Sequence, residues 1–232
     1  MPQASPINRM SEISAALTKV REQVINSAIA SGRDPDEVTL IAVTKTYPSS
    51  DLQILKSLGV NDFGENRDTE GSEKSLATVG TWHFQGGIQS NKINSIARWA
   101  DVVHSLDNSR HIDKFAGAVA PGKVLKVFLQ VALDNSEGRS GVQPAELDTL
   151  AENVMKHHQL QLLGLMAVAP LGEDPESAFQ RLEVIHRAFK DKFPDSPYLS
   201  AGMSGDFEGA ISHGATHIRV GSSILGSRMA PL

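Results

Sequence analysis

The sequence contains no cysteine. That absence excludes disulfides, thiolate metal sites, iron–sulfur clusters and cysteine nucleophiles together, so any nucleophile must be Ser, Thr, Lys, Asp, Glu, His or Tyr. Aromatic residues are scarce at 5%, too thin for a base-stacking surface. There is no excess of positive charge either. The 22 Lys and Arg against 27 Asp and Glu leave a formal net charge of −5, whereas a nucleic-acid or anionic-membrane binder would carry a basic stripe. The most apolar stretch, residues 162–171, falls far short of the ~20 residues that span a bilayer. The first six residues show no positive n-region followed by an apolar h-region, so no secretory signal is read there. The expected location is the cytoplasm, with neither membrane nor nucleic acid as partner.

What is present is ordinary globular material, 40% hydrophobic and 21% charged over 232 residues, enough to bury a full core. Ile13, Leu17, Val20, Val24 and Ala28 recur at helical spacing, and Gly32 closes that run. After a turn at residues 33–36, the apolar, β-branched run 38–43 predicts a buried strand. Further short strands are predicted at 60–63, 82–84, 101–106, 124–133, 160–168, 198–200 and 217–221. Helical stretches separate them. Ser49 and Ser50 can cap a helix carrying Leu52, Leu55 and Leu58, which Gly59 ends. Residues 88–99 and 109–119 read as helices, as do the segments opened by Pro144 and by Asp174-Pro175. Eight strands alternating with helices imply a parallel sheet with right-handed crossovers. At this length they point to an α/β fold, a (β/α)8 barrel with one extra N-terminal helix, residues 1–33, packed on it. An open doubly wound sheet is the structural rival. No linker or low-complexity segment interrupts the pattern, so residues 1–232 are expected to form one domain.

In such a barrel the chemistry sits where the strands end, and the loops after strands seven and eight often hold phosphate. Lys45 ends the first strand and shares its face with Val43 and Ile41. A lysine inside a barrel mouth is costly to bury unless something uses it; desolvation favours the neutral amine, which can form an imine with a carbonyl. A solvated strand-end lysine is the plainer reading. Ser204 follows strand seven and Gly221-Ser222-Ser223 follows strand eight, where hydroxyls and backbone N–H groups can hold phosphate or simply cap helices. In 217–221, Ile218 and Val220 suit the helix-facing side, which puts Arg219 inside with Gly221. An interior arginine needs an acceptor, either a structural carboxylate or a ligand atom.

Several motifs then occur in order: Ile41-Ala42-Val43-Thr44-Lys45, Phe63-Gly64-Glu65-Asn66, Trp82-His83-Phe84 with Gln89-Ser90-Asn91-Lys92, Gly164-Leu165-Met166, Gly202-Met203-Ser204-Gly205-Asp206-Phe207 and Gly214-Ala215-Thr216-His217-Ile218-Arg219-Val220-Gly221-Ser222. On these the chain resembles the pyridoxal phosphate homeostasis protein family over almost its whole length. The resemblance implies a fold similar to the N-terminal barrel of alanine racemase, with pyridoxal 5′-phosphate bound as an imine. By the same resemblance Lys45 is the imine lysine, Ser204, Gly221 and Ser222 lie on the phosphate side, Arg219 meets the pyridine nitrogen, and Asn66 lies close to the cofactor. Three positions depart from the family's habit. Arg67 stands where tyrosine is common, Gln85 where an aliphatic residue is usual, and Arg139 where lysine is frequent.

Arginine donates and cannot accept a hydrogen bond, so a ring nitrogen facing Arg219 must be the acceptor and stays unprotonated, a weaker electron sink than one paired with a carboxylate. A racemase also needs acid and base groups on both faces of the substrate carbon; alanine racemases take one from a second domain, for which this chain has no length. Tyr47 and Tyr198 are its tyrosines, and Tyr47 is expected to pack at the rim. The expected function is therefore a carrier or regulator that holds the cofactor reversibly and passes it to apo-enzymes, as a monomer or weak homodimer. A single-domain amino-acid racemase is the alternative. Without the resemblance, a class I aldolase also fits a barrel lysine. His157 and His158 are adjacent and point apart on a helix, His83 reads as a hydrogen-bonded structural residue, and no HExxH or P-loop occurs, so no metal site is expected.

Overall fold

The protein was analysed as a computed structural model, which describes residues 6–134 and 140–226. The helical spacing near the N-terminus builds α1 (Pro6–Ala30), with Ile13, Leu17, Val20, Val24 and Ala28 all buried. Gly32, at φ +68, ends it in the left-handed region that glycine enters without penalty. Strands and helices then alternate: β1 (Thr39–Val43), α2 (Ser49–Ser57), β2 (Asp62–Glu65), α3 (Asp68–Ala77), β3 (Thr81–Phe84), α4 (Ile93–Trp99), β4 (Val102–Leu106), α5 (Ser109–Ala118) and β5 (Leu125–Gln130). A 3-10 turn at Pro144–Glu146 leads into α6 (Leu147–Met155), followed by β6 (Leu160–Met166), α7 (Pro175–Lys192), β7 (Tyr198–Met203), α8 (Phe207–Ser212), β8 (His217–Val220) and α9 (Ser222–Leu225).

All neighbouring strands pair in parallel, and β8 returns to β1 with Ile41 opposite Arg219, closing the barrel. Closure overturns the open-sheet rival and bears out the (β/α)8 reading. Helix α1 packs outside on α2, α8 and α9. Arg9 fastens it there by a two-pronged ion pair with buried Asp51 of α2, at 3.1 and 2.5 Å, and by donating to the Leu225 carbonyl at 3.0 Å. Among the described residues no helix is long and apolar enough to cross a membrane.

Three helices differ from the sequence expectation. Helix α3 was not named from periodicity because its segment is polar; what it buries is Gly71 and Lys74. The Trp99 ring lies so close to Gly71 that a Cβ there would meet it at 2.4 Å. Helix α4 starts at Ile93 rather than at residue 88, and Pro48, not a serine, occupies the cap position of α2.

The strands sort their side chains by period two. Ala42, Phe63, Phe84, Val103, Leu165, Ile218 and Val220 join the large core beneath the helices, while Val102, Phe128, Leu163 and Met166 form a small apolar plug of their own. Beside the apolar Ile41 and Val43 of β1, the interior also holds polar groups, with His83, His104, Ser200 and Arg219 all buried. Gly164 shapes this interior. The β5–β6 register shifts beside it, its φ is +150, and a Cβ would stand 1.8 Å from the Tyr198 carbonyl oxygen. Gly164→Ala is expected to cost about 2–4 kcal/mol in urea unfolding, because both backbone and neighbour oppose it. A loss below about 0.5 kcal/mol, typical of a surface change, would show that β7 yields freely.

Candidate functional site

A cavity of about 270 Å³ opens at the C-terminal ends of the strands, and Lys45, Asn66, Ser204, Arg219, Gly221 and Ser222 all line it. The six positions singled out in the sequence, spread over four strand-ends, thus meet at one mouth. Val43, Tyr47, Gln85, Met166, Val168, Met203 and Gly205 complete its walls.

Lys45 follows β1 by two residues and keeps the face set by Ile41 and Val43. The next residue, Thr46, sits at φ +69, a conformation that a β-branched residue enters only under strain. That strain is held by an acid–lysine cluster beneath the loop. The Thr46 N–H donates to Glu70 Oε2 at 2.7 Å. Lys74 Nζ donates to the Thr44 carbonyl at 2.7 Å, to Glu65 Oε1 at 2.7 Å and to Glu70 Oε2 at 3.2 Å. Burial pushes the Glu65 carboxyl up against the opposing pull of Lys74 and Thr44. Partial burial works the same way on Glu70, but the Thr46 N–H and the Lys74 ammonium hold it below the usual carboxylate value. An i,i+4 acid–lysine pair is normally a solvated feature; here α3 packs on β2 and β3, which leaves the Lys74 side chain 8% exposed and that of Glu70 23%.

On the β7–β8 side, Gly202 turns the chain at φ +88, where a Cβ would meet Phe207 Cα at 2.8 Å. Ser204 Oγ then accepts from the Gly221 N–H at 3.1 Å and the Ser223 N–H at 3.4 Å, and Ser223 Oγ donates to the Ser204 carbonyl at 3.1 Å. These two backbone donors mark a spot that attracts an acceptor oxygen. Asn66 is set by its neighbour strand: a Cβ on Gly86 would lie 2.0 Å from the Asn66 carbonyl oxygen. Gln85, one of the three departures, faces the cavity, and its buried Nε2 has no hydrogen-bond partner among the described residues. Arg67 points away from it, 72% exposed and 3.3 Å from Glu70. Arg139 lies outside the described residues. Tyr47 packs at the rim, its hydroxyl donating to the Gly226 carbonyl at 2.5 Å.

Arg219 lies inside, as period two demanded. Its acceptors are the Ser200 hydroxyl at 2.8 Å and the Ala167 carbonyl at 3.0 Å, not a carboxylate. Burial pulls its pKa down to about 10, against the weaker pull of Asp206, so it remains a cation at neutral pH. Deeper in the barrel, burial drives His217 down to about 3 and holds His104 well below its ordinary value. His83 is structural, as expected, bonded to His104 at 2.9 Å and to Asp62 at 3.1 Å. His157 pairs with Asp113 at 3.2 Å. Among the described residues no group of His, Asp or Glu could hold a metal.

Two measurements check this electrostatic picture. His104 and His217 stay neutral in the fold, whereas the unfolded chain protonates both below their ordinary 6.5. Stability must therefore fall as pH drops from 6.5 towards the folded value of about 3 for His217. His217→Asn should make that acid loss shallower in urea melts at stepped pH, and an unchanged slope would refute the burial argument. Glu70→Ala should cost about 1–2 kcal/mol and speed amide exchange at Thr46. Unchanged exchange would mean that the Lys45 loop holds itself.

Known proteins agree with this geometry. Residues 25–229 match the family described as alanine racemase, N-terminal domain. The pyridoxal phosphate homeostasis protein of Mycobacterium tuberculosis (strain ATCC 25618 / H37Rv) is 38% identical, with 95% of each chain covered. That of Escherichia coli (strain K12) is 36% identical over 94% of this chain and 98% of the relative. PipY of Synechococcus elongatus PCC7942, solved with PLP bound, superposes with a TM-score of 0.79 at 30% identity, over 92% of this chain and all (100%) of that one. A D-threonine aldolase from Filomicrobium marinum shares the fold at a TM-score of 0.76, at 16% identity and over 60% of that longer chain. With a family match along most of its length and relatives 36–38% identical over nearly all of it, the chain belongs to the alanine racemase N-terminal domain family and, within it, to the pyridoxal phosphate homeostasis proteins.

Proposed function

We propose that this protein binds pyridoxal 5′-phosphate on Lys45 and serves its intracellular homeostasis, holding the cofactor and releasing it to apo-enzymes. The observation that carries the reading is the convergence, at one mouth, of a lysine, an interior arginine and a paired set of backbone and hydroxyl donors. The cavity also fits the group on a point the family pattern does not supply. Gln85 offers it a buried amide donor that is without a partner among the described residues.

Pyridoxal phosphate would supply an aldehyde, for which Lys45 holds the amine, and a dianionic phosphate that needs several donors. Ser204, Gly221 and Ser222 are the phosphate-side residues in this reading, the hydroxyl of Ser204 yielding its two backbone donors to the incoming oxygens. Asn66 and Gln85 border the opposite wall. Arg219 keeps its protons, since even the lowered value of about 10 lies well above neutrality, so whatever ring atom it faces must accept. The arrangement binds and orients without strengthening electron withdrawal, which suits a holder of the cofactor. The racemase alternative requires acid and base groups on both faces of a substrate carbon, and Tyr47 at the rim spends its hydroxyl proton on Gly226.

Purified protein loaded with pyridoxal phosphate should show a visible absorption band. Borohydride should fix the band's adduct on the Lys45 peptide, and Lys45→Ala should abolish both. Ser204→Ala should weaken uptake about tenfold, the equivalent of one charge-assisted hydrogen bond. A band that survives Lys45→Ala with no reducible adduct at that lysine would overturn the assignment. Interconversion of D- and L-amino acids by the loaded protein, lost in Lys45→Ala, would favour the racemase.

A further inference from the structure

Arg219 heads a file of hydrogen bonds that runs the depth of the barrel. Its Nη1 donates to Ser200 Oγ at 2.8 Å, Ser200 Oγ meets His104 Nδ1 at 2.8 Å, His104 Nε2 meets His83 Nδ1 at 2.9 Å, and His83 Nε2 meets Asp62 Oδ1 at 3.1 Å. Asp62 opens β2, at the end of the barrel away from the cavity, and its side chain is 28% exposed, whereas Ser200 and His104 are fully buried. The two ends fix the direction of every bond between them. Arg219 can only donate, and a carboxylate can only accept. Counting back from Asp62, His83 must carry its proton on Nε2, His104 must carry its proton on Nε2, and the Ser200 hydroxyl must donate to His104. Ser200 Oγ is thereby left as the acceptor that Arg219 needs. In the opposite sense His104 would donate to Ser200, and the Ser200 hydroxyl proton would have no acceptor among the described residues. Such an orphan in a fully buried place is costly. The His104 ring is held in plane by stacking on Phe128, with ring centroids 4.7 Å apart.

We propose that Ser200, His104, His83 and Asp62 form a one-directional relay that positions the Arg219 guanidinium from the far end of the barrel. Its use in cofactor binding rests on the reading above. The relay itself is a property of the protein alone. With Ser200 and Ala167 as its acceptors, the guanidinium is locked in one plane, and its other N–H groups are available to the cavity. His104, His83 and Asp62 are positioning residues, since none of them lines the cavity.

The test has two arms. Long-range proton–nitrogen NMR of the protein without cofactor should show His83 and His104 both neutral and protonated on Nε2. A proton on Nδ1 of either ring, or a doubly protonated His83, overturns the relay. Asp62→Ala removes the terminal acceptor at a half-exposed strand start. It should mix the His83 tautomers, weaken pyridoxal phosphate binding about threefold and shift the bound absorption band, with thermal stability close to wild type. Ser200→Ala, which leaves Arg219 one acceptor short, should weaken binding about tenfold. Unchanged tautomers, affinity and band in Asp62→Ala would also sink the proposal. If the wild-type protein takes up no pyridoxal phosphate, the functional reading falls, and the tautomer measurement still decides the relay.

Discussion

The structure turns on a cation that has been taken out of water without a counter-ion. Arg219 stands inside the barrel, and among the described residues it makes no ion pair; a hydroxyl and a carbonyl hold it instead. Such a group is expensive to bury, and the cost shows in the drop of its pKa to about 10. The surrounding barrel is arranged around that cost. Its interior gives up apolar volume to His83, His104 and Ser200, and the apolar plug shrinks to four residues, Val102, Phe128, Leu163 and Met166. A guanidinium neutralised by its own carboxylate would present little field to a ligand. One held by neutral acceptors presents nearly all of it.

The lysine side of the mouth is built on the opposite tactic. There the charges are numerous and mutually compensated: Lys74 is shared between Glu65 and Glu70 beneath a loop whose Thr46 is forced into a left-handed turn. The cluster sets where Lys45 emerges without placing a charge of its own in the cavity. Side by side on the paired strands β8 and β1, the mouth thus offers an under-compensated cation and an amine on a firmly anchored loop. A ligand with an acceptor atom for the guanidinium and a carbonyl for the amine meets both demands.

Much of this was legible in the sequence wherever the signal was local. Period two placed Arg219 inside and Ile218 and Val220 outside, and strand–helix alternation gave the closed barrel. Strand ends differ from the expected ones by up to three residues. The 198–200 run extended to Met203, because Gly202 allows the strand to continue into the turn. Helix α3 stayed hidden because it packs through a glycine and a lysine, residues that carry no hydrophobic period. The contacts of His104 were not legible, because its partners Ser200 and His83 come from other strands, 96 and 21 residues away in the chain. No spacing rule connects residues that only barrel closure brings together.

The fastening of α1 carries a consequence for how the molecule is made. Arg9 bonds to Leu225 across 216 residues, and the apolar face of α1 is completed by α8 and α9. β1 likewise lacks one of its two neighbours until β8 exists. During synthesis the first helix therefore emerges long before the surface that covers it. Its stripe of Ile13, Leu17, Val20 and Val24 stays incompletely covered until α8 and α9 have been made, a window in which a chaperone, or another nascent chain, can reach it. Contacts so distant in sequence also make closure the slow, late step of folding. The cofactor mouth, built from both ends of the chain, cannot form before that step.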